Sequence, residues 1–184
     1  MKEAVVVLDM TNDSIAPTAR AIDLRLKILD RTAEFLAWAR RAGRPVVHVC
    51  SSRRATDKWF LKHWEFVNQI WTTGQQPIPS LFDAKSDVIV HKRRYSGFFG
   101  SDLDITLREL DVGSLTLLGW STSLAVLSTA LDAWQHGYST CVVSDLTVAH
   151  AWGGHTPQEN QQWSLDLIKA FAFSRIATSA ELMQ

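Results

Sequence analysis

The chain has 184 residues, 46% of them hydrophobic, and its 19 Lys+Arg balance 19 Asp+Glu for a formal net charge of +0. That length suits one domain spanning 1–184 with a sizeable core and leaves little room for a second. The balanced charge gives no basic stripe for nucleic acid or an anionic membrane surface, and no apolar run reaches the roughly 18 residues that span a bilayer.

The first residues, Met1-Lys2-Glu3-Ala4, lead straight into an apolar strand without the features of a secretory leader, so the expected location is the cytoplasm. Ala4 to Leu8 is a continuous β-branched run, the pattern of a strand covered on both faces, and it ends at Asp9. After a turn-rich stretch, Ile22, Leu26, Leu29, Ala33, Leu36 and Ala37 recur at helical spacing and predict a helix from Ile22 to Ala42, closed by Gly43. Pro45 to Cys50 is a second strand. Residues 51–86 form a long excursion, rich in Trp, Lys, Gln and Pro, and connections of this length are usually functional or subunit-forming. A lid or a subunit contact is expected there, with Trp59, Trp64 and Trp71 in it. Asp87 to His91 is the third strand, Leu103 to Leu110 a short helix, and Ser114 to Leu118 the fourth strand, stopping at Gly119. A helix from Thr122 to His136 follows, with Leu124, Leu127, Ala130, Leu131 and Trp134 on one face and Gly137 as its cap. Ser139 to Ser144, Pro157 to Ala172 and Arg175 to Thr178 complete the alternation as strand, helix and strand. Strands alternating with helices predict an α/β fold with a parallel sheet covered on both faces.

In an open α/β sheet, ligands bind beyond the C-terminal ends of the strands. That rule selects Asp9 after strand one, His91 and Lys92 at strand three, and the loop Trp120-Ser121-Thr122 leading from strand four into a helix. An acid, a base and a helix N-terminus suited to an oxyanion thus converge on one edge. Singly, Asp9 reads as a turn residue and Lys92 as a solvated strand end; together at three strand ends they point to function.

Three segments carry a resemblance. VVVLDMTND (5–13) is similar to the opening strand and Asp of the isochorismatase-like, or cysteine hydrolase, superfamily. VIVHKRRYSGFFGSDLDITLREL (88–110) resembles its Lys-bearing strand, and LLGWSTSLAVLSTALDAWQHGYSTCVVSDL (117–146) its nucleophile region. The resemblance implies a Rossmann-like three-layer sandwich around a central, mostly parallel six-stranded sheet. It implies Asp9 as general base, Lys92 as its charged partner, and an oxyanion held by backbone N–H groups of Ser121 and residue 125. It also implies a cis peptide between Trp120 and Ser121, and attack by a thiolate on a small amide, urea or imide.

The position of the family's cysteine holds Ala125, which has no nucleophile. Three readings stand beside one another. The chain is a cysteine hydrolase whose nucleophile has been replaced, which the surrounding Thr122, Val126, Thr129, Ala130, Asp132 and Ala133 favour. It is a thiol-independent vinyl ether hydrolase of the isochorismatase type, with Asp9 as acid. Or it is a small-molecule-binding protein on the same scaffold. Cys50, at the end of strand two, and Cys141, mid-strand, read as buried reduced thiols. His48 and Asp57 are the only metal-ligand candidates after strand two and have the wrong spacing, so neither a metal nor another cofactor is expected. Phe98, Phe99, Trp120 and one Trp of 59–71 are candidate pocket walls, with Tyr95 and Arg94 reaching a polar substituent of a small, flat substrate. The excursion and a Trp-rich surface predict a homo-oligomer, dimer or tetramer.

Overall fold

The computed structural model describes residues 1–17, 19–54, 56–58, 62 and 72–184. Six parallel strands form one sheet in the order β3-β2-β1-β4-β5-β6. They are β1 (Lys2–Leu8), β2 (Val46–Ser51), β3 (Val88–Lys92), β4 (Val112–Trp120), β5 (Ser139–Val148) and β6 (Arg175–Ala177). The helices are α1 (Ile22–Arg41), α2 (Leu103–Glu109), α3 (Leu127–Gln135), α4 (Pro157–Phe171) and α5 (Ser179–Leu182). This is the α/β sandwich expected from the alternation of strands and helices.

The alternation along β1 shows why both faces are covered. Ala4, Val6 and Leu8 enter a core with Leu117, Ala130 and Ile168, beneath α3 and α4. Val5 and Val7 enter a second core with Phe35, Leu36 and Leu118, beneath α1. A strand buried on both sides has no polar face, which is why its sequence is an unbroken apolar run. Gly43, with φ of +70°, ends α1: the Arg44 N–H bonds to the Ala39 carbonyl and the Gly43 N–H to that of Arg40.

Under the edge of the sheet, Asp87 is fully buried between Arg40 and His48. Arg40 Nε donates to Oδ1 at 3.0 Å, and His48 Nε2 lies 3.1 Å from Oδ2. Burial by itself would raise this carboxyl, but the bonds from His48, Arg40 and the Asp83 N–H outweigh it and hold the group well below the usual carboxylate range. His48 is thereby fixed inside the structure rather than presented at the strand ends.

Two elements differ from the sequence reading. β5 runs on to Val148, with a register shift against β4 between Leu117 and Gly119. Asp145, expected just past the end of the strand, therefore lies inside it. The expected helix 122–136 is also divided: Thr122–Val126 is a π-helical turn, and regular α-helix begins at Leu127. Trp59, Trp64 and Trp71 lie outside the described residues, and so does most of the segment expected to be a lid or subunit contact.

The chain leaves β3 at one edge and enters β4 beyond β1, so the sheet's direction of growth reverses between β1 and β4. Leu8 pairs with Gly119 there. Gly119 has φ of +115°, and a Cβ on it would lie 2.1 Å from the Leu8 carbonyl oxygen. Gly119→Ala is therefore expected to cost about 3 kcal/mol or more, from backbone strain and a clash with backbone that has no room to yield. Urea denaturation with near-native spectra and an unchanged midpoint would show that this approach is not a constraint.

Candidate functional site

Asp9 follows β1 in the left-handed region, with φ of +55°, and Lys92 is the last residue of β3. Between them lies β2. The Lys92 ammonium, 1% exposed, is 2.7 Å from Asp9 Oδ2. Its other contacts are the Ser51 hydroxyl at 3.1 Å and the Arg94 carbonyl at 3.0 Å. The Ser51 N–H donates to Asp9 Oδ1 at 2.8 Å. Burial pulls Lys92 below the ordinary range of a lysine, and the Asp9 carboxylate resists this. Ser51 is thus a site residue that the sequence reading missed. The sequence reading ended its strand at Cys50, and only the sheet order places that strand between the ones that carry Asp9 and Lys92.

Arg53 is the second omission. It is 5% exposed and donates to the Lys92 carbonyl at 3.0 Å. Burial lowers its guanidinium, and the Asp9 carboxylate opposes the shift. Arg25, from α1, lies over the Trp120 ring with 5.1 Å between its guanidinium carbon and the ring centroid, and it donates to the Ser14 carbonyl at 2.7 Å. Burial brings it down to about 10, again against Asp9.

Beyond β4 the chain passes through a cis peptide between Trp120 and Ser121 into the π-helical turn. The Ser121 carbonyl accepts from the N–H groups of Leu124 and Val126, skipping that of Ala125 between them. Single turns of this kind are frequent at functional sites. Gln161 of α4 fastens the loop from behind: its Oε1 accepts from the Thr122 hydroxyl at 2.6 Å and the Ala149 N–H at 2.9 Å. Its Nε2 donates to the Thr147 hydroxyl at 2.7 Å. Ala125 is 3% exposed. Because Leu8 pairs with Gly119, Asp9 and the Trp120-Ser121-Thr122 loop leave adjacent strands side by side.

The expected aromatic walls are distributed differently. Phe98 is a core residue stacked on His136, with 4.8 Å between centroids, at the far end of α3 from the loop. This corrects its placement at the pocket: the Ser-Gly-Phe turn after β3 carries the ring down the sheet face. Phe99 is 64% exposed and Tyr95 37%. The Trp120 ring is buried in the α1-side core.

His48 is engaged by Asp87 and Asp57 by Arg93. Among the described residues no three His, Cys, Asp or Glu side chains cluster to hold a metal ion. Asp145 accepts from the Ser179 N–H and hydroxyl, each at 2.7 Å, and so caps α5. Among the described residues, no helix is long and apolar enough to cross a membrane.

Residues 3–181 match the isochorismatase domain, and the chain belongs to that family of hydrolases. An isochorismatase family protein, YecD, of Escherichia coli O157:H7 is 28% identical over 164 residues, 85% of either chain. The ureidoacrylate amidohydrolase RutB of Caulobacter segnis is 28% identical over 97% of this chain and 83% of its own. The crystal structure of N-carbamoylsarcosine amidase from Thermoplasma acidophilum superposes with a TM-score of 0.83, at 27% identity and 97% coverage of both chains.

Cys50 neighbours the pair but is a poor nucleophile. Burial first, then the Asp9 carboxylate, pushes its thiol up to about 12, with Lys92 opposing. Cys50 is therefore expected to resist a disulfide-exchange reagent at pH 8 in the folded protein and to label only on unfolding. Rapid stoichiometric labelling of the native chain at Cys50, read by peptide mass, would contradict this.

Proposed function

We propose that the chain is a hydrolase of the C–N bond in a small amide, urea or imide, in a form that lacks its nucleophile because Ala125 stands where a cysteine is required. The observation that carries this reading is the buried Asp9–Lys92 ion pair beside the loop bearing Ala125. In the armed form a thiolate at 125 attacks the substrate carbonyl, and the oxyanion is held by the N–H groups of Ser121 and residue 125. Asp9 carries the thiol proton to the departing nitrogen, and then takes a proton from the water that clears the thioester. Lys92 stabilises the charge on Asp9 and on the thiolate. No metal or other cofactor enters these steps. A vinyl ether hydrolase would need Asp9 as an acid; both of its close neighbours, Lys92 and the Ser51 N–H, donate to it, which suits a proton acceptor.

As it stands, the chain binds substrate without turning it over. Ala125→Cys is expected to confer release of ammonia or amine from one member of an amide, urea and imide panel. Asp9→Asn or Lys92→Met in that background is expected to lower the rate by about 10²–10⁴-fold. If Ala125→Cys is inert on the whole panel while remaining folded, thiol chemistry is the wrong class.

The same reading takes residues 1–184 as one catalytic unit that works as a homo-oligomer, dimer or tetramer, with 51–86 as lid or subunit contact. Exposed rings support it: Trp134 and Phe173 are in contact with centroids 5.5 Å apart, and Trp163 and Phe171 are also exposed. Sedimentation at micromolar concentration is expected to give a dimer or tetramer; a monomer refutes the assembly.

A further inference from the structure

Past the end of β5 the chain reaches His150, which lines an open cleft of about 600 Å³. The start of α1 supplies Arg20, Asp23 and Lys27 to this cleft, and the start of α4 supplies Pro157 and Gln158. α1 is 20 residues long and begins after Ala21, whose side chain offers no cap; the Leu24 and Arg25 N–H groups bond to the Ala21 carbonyl, so only the amides ahead of Leu24 are left for an outside acceptor among the described residues. α4 already has a capping box from Thr156 and Glu159.

A second observation is independent of the helix ends. His150 is only 8% exposed, and among the described residues its ring Nδ1 is buried with no hydrogen-bond partner. Among the described residues, Arg25 Nε and Trp120 Nε1 are also buried without an acceptor. Trp120 pairs with Val148, two residues before His150, and Arg25 lies over the Trp120 ring, but neither side chain lines the cleft. Asp23 is the one carboxylate in the cleft lining, against Arg20 and Lys27. Burial, then Arg20 and Arg25, lower His150, which favours its neutral ring.

We propose that this cleft binds a small oxyanion, a carboxylate or a phosphate, at the start of α1 between Arg20, Lys27 and His150. The anion supplies the acceptor that the His150 ring lacks among the described residues. Two sources share this chemistry: the acid group of a substrate whose C–N bond lies at the neighbouring strand ends, which rests on the hydrolase reading, or a free anion, which does not.

The test follows the His150 ring by NMR while inorganic phosphate, acetate, or an amide bearing a carboxylate is added to the chain with Ala125 in place. A saturable shift is expected, with the His150 pKa moving up, and at least tenfold weaker binding in the Arg20→Gln/Lys27→Gln double variant. No saturable shift with any of the three, or one that the double variant leaves unchanged, overturns the proposal. The source is read in the Ala125→Cys background. If the substrate supplies the anion, the acid amide has a KM at least tenfold below its neutral counterpart, and the double variant raises only the former. If a free anion is the ligand, the two KM values agree and phosphate still shifts His150 with amide present. Should Ala125→Cys turn over nothing while the His150 shift persists, the hydrolase reading fails and the anion site stands.

Discussion

An ammonium group with 1% of its surface exposed must be matched where it sits, and Lys92 is matched by groups from three neighbouring strand ends. Asp9 comes from β1, Ser51 from β2, and Lys92 and the Arg94 carbonyl from β3 and its exit. A slip of one residue in any of these strands would turn a partner to the other face of the sheet and leave a buried charge uncompensated. The apolar strands behind the pair hold that register, and the pair in turn penalises the alternatives. Asp9 takes up an unusual backbone conformation at this point, one that Asp tolerates better than most residues.

The second half of the site depends on a different constraint. Gly119 lets β4 lie against β1 closely enough for the loop to emerge beside Asp9, and the wide turn at Thr122–Val126 carries Ala125 into the first turn of the helix region. Regular helical spacing cannot signal a π turn, because the apolar positions of 124–134 satisfy the α-helical period well enough. The division of that helix was therefore invisible in the pattern, although its outer limits were not.

The alternation of strands and helices, and the charged residues Asp9 and Lys92 at strand ends, were legible, because each rests on local regularities: unbroken apolar runs, helical periodicity, and charges where such runs stop. Ser51, Arg53, Arg25 and Gln161 were not. Each acts through a contact between residues far apart in sequence, and nothing in their immediate neighbours marks them. Phe98 was misplaced for the same reason: an aromatic near a strand end reads as a pocket wall until the path of the following turn is known. The register shift that lengthens β5 also escaped, since Ser144 and Asp145 carry the composition of a loop while Asp145 serves as an acceptor for α5.

Gln161 has a bearing on how the protein is made. Every partner of the Asp9–Lys92 pair comes from residues 9 to 94, so the acid–base half has all its side chains as soon as the third strand has left the ribosome. The loop after β4 is fastened by an amide on the last long helix, and it has no such brace until residue 161 emerges. The two halves of the site are therefore completed at different times during synthesis, and a chain stopped between them holds the charges without the cradle.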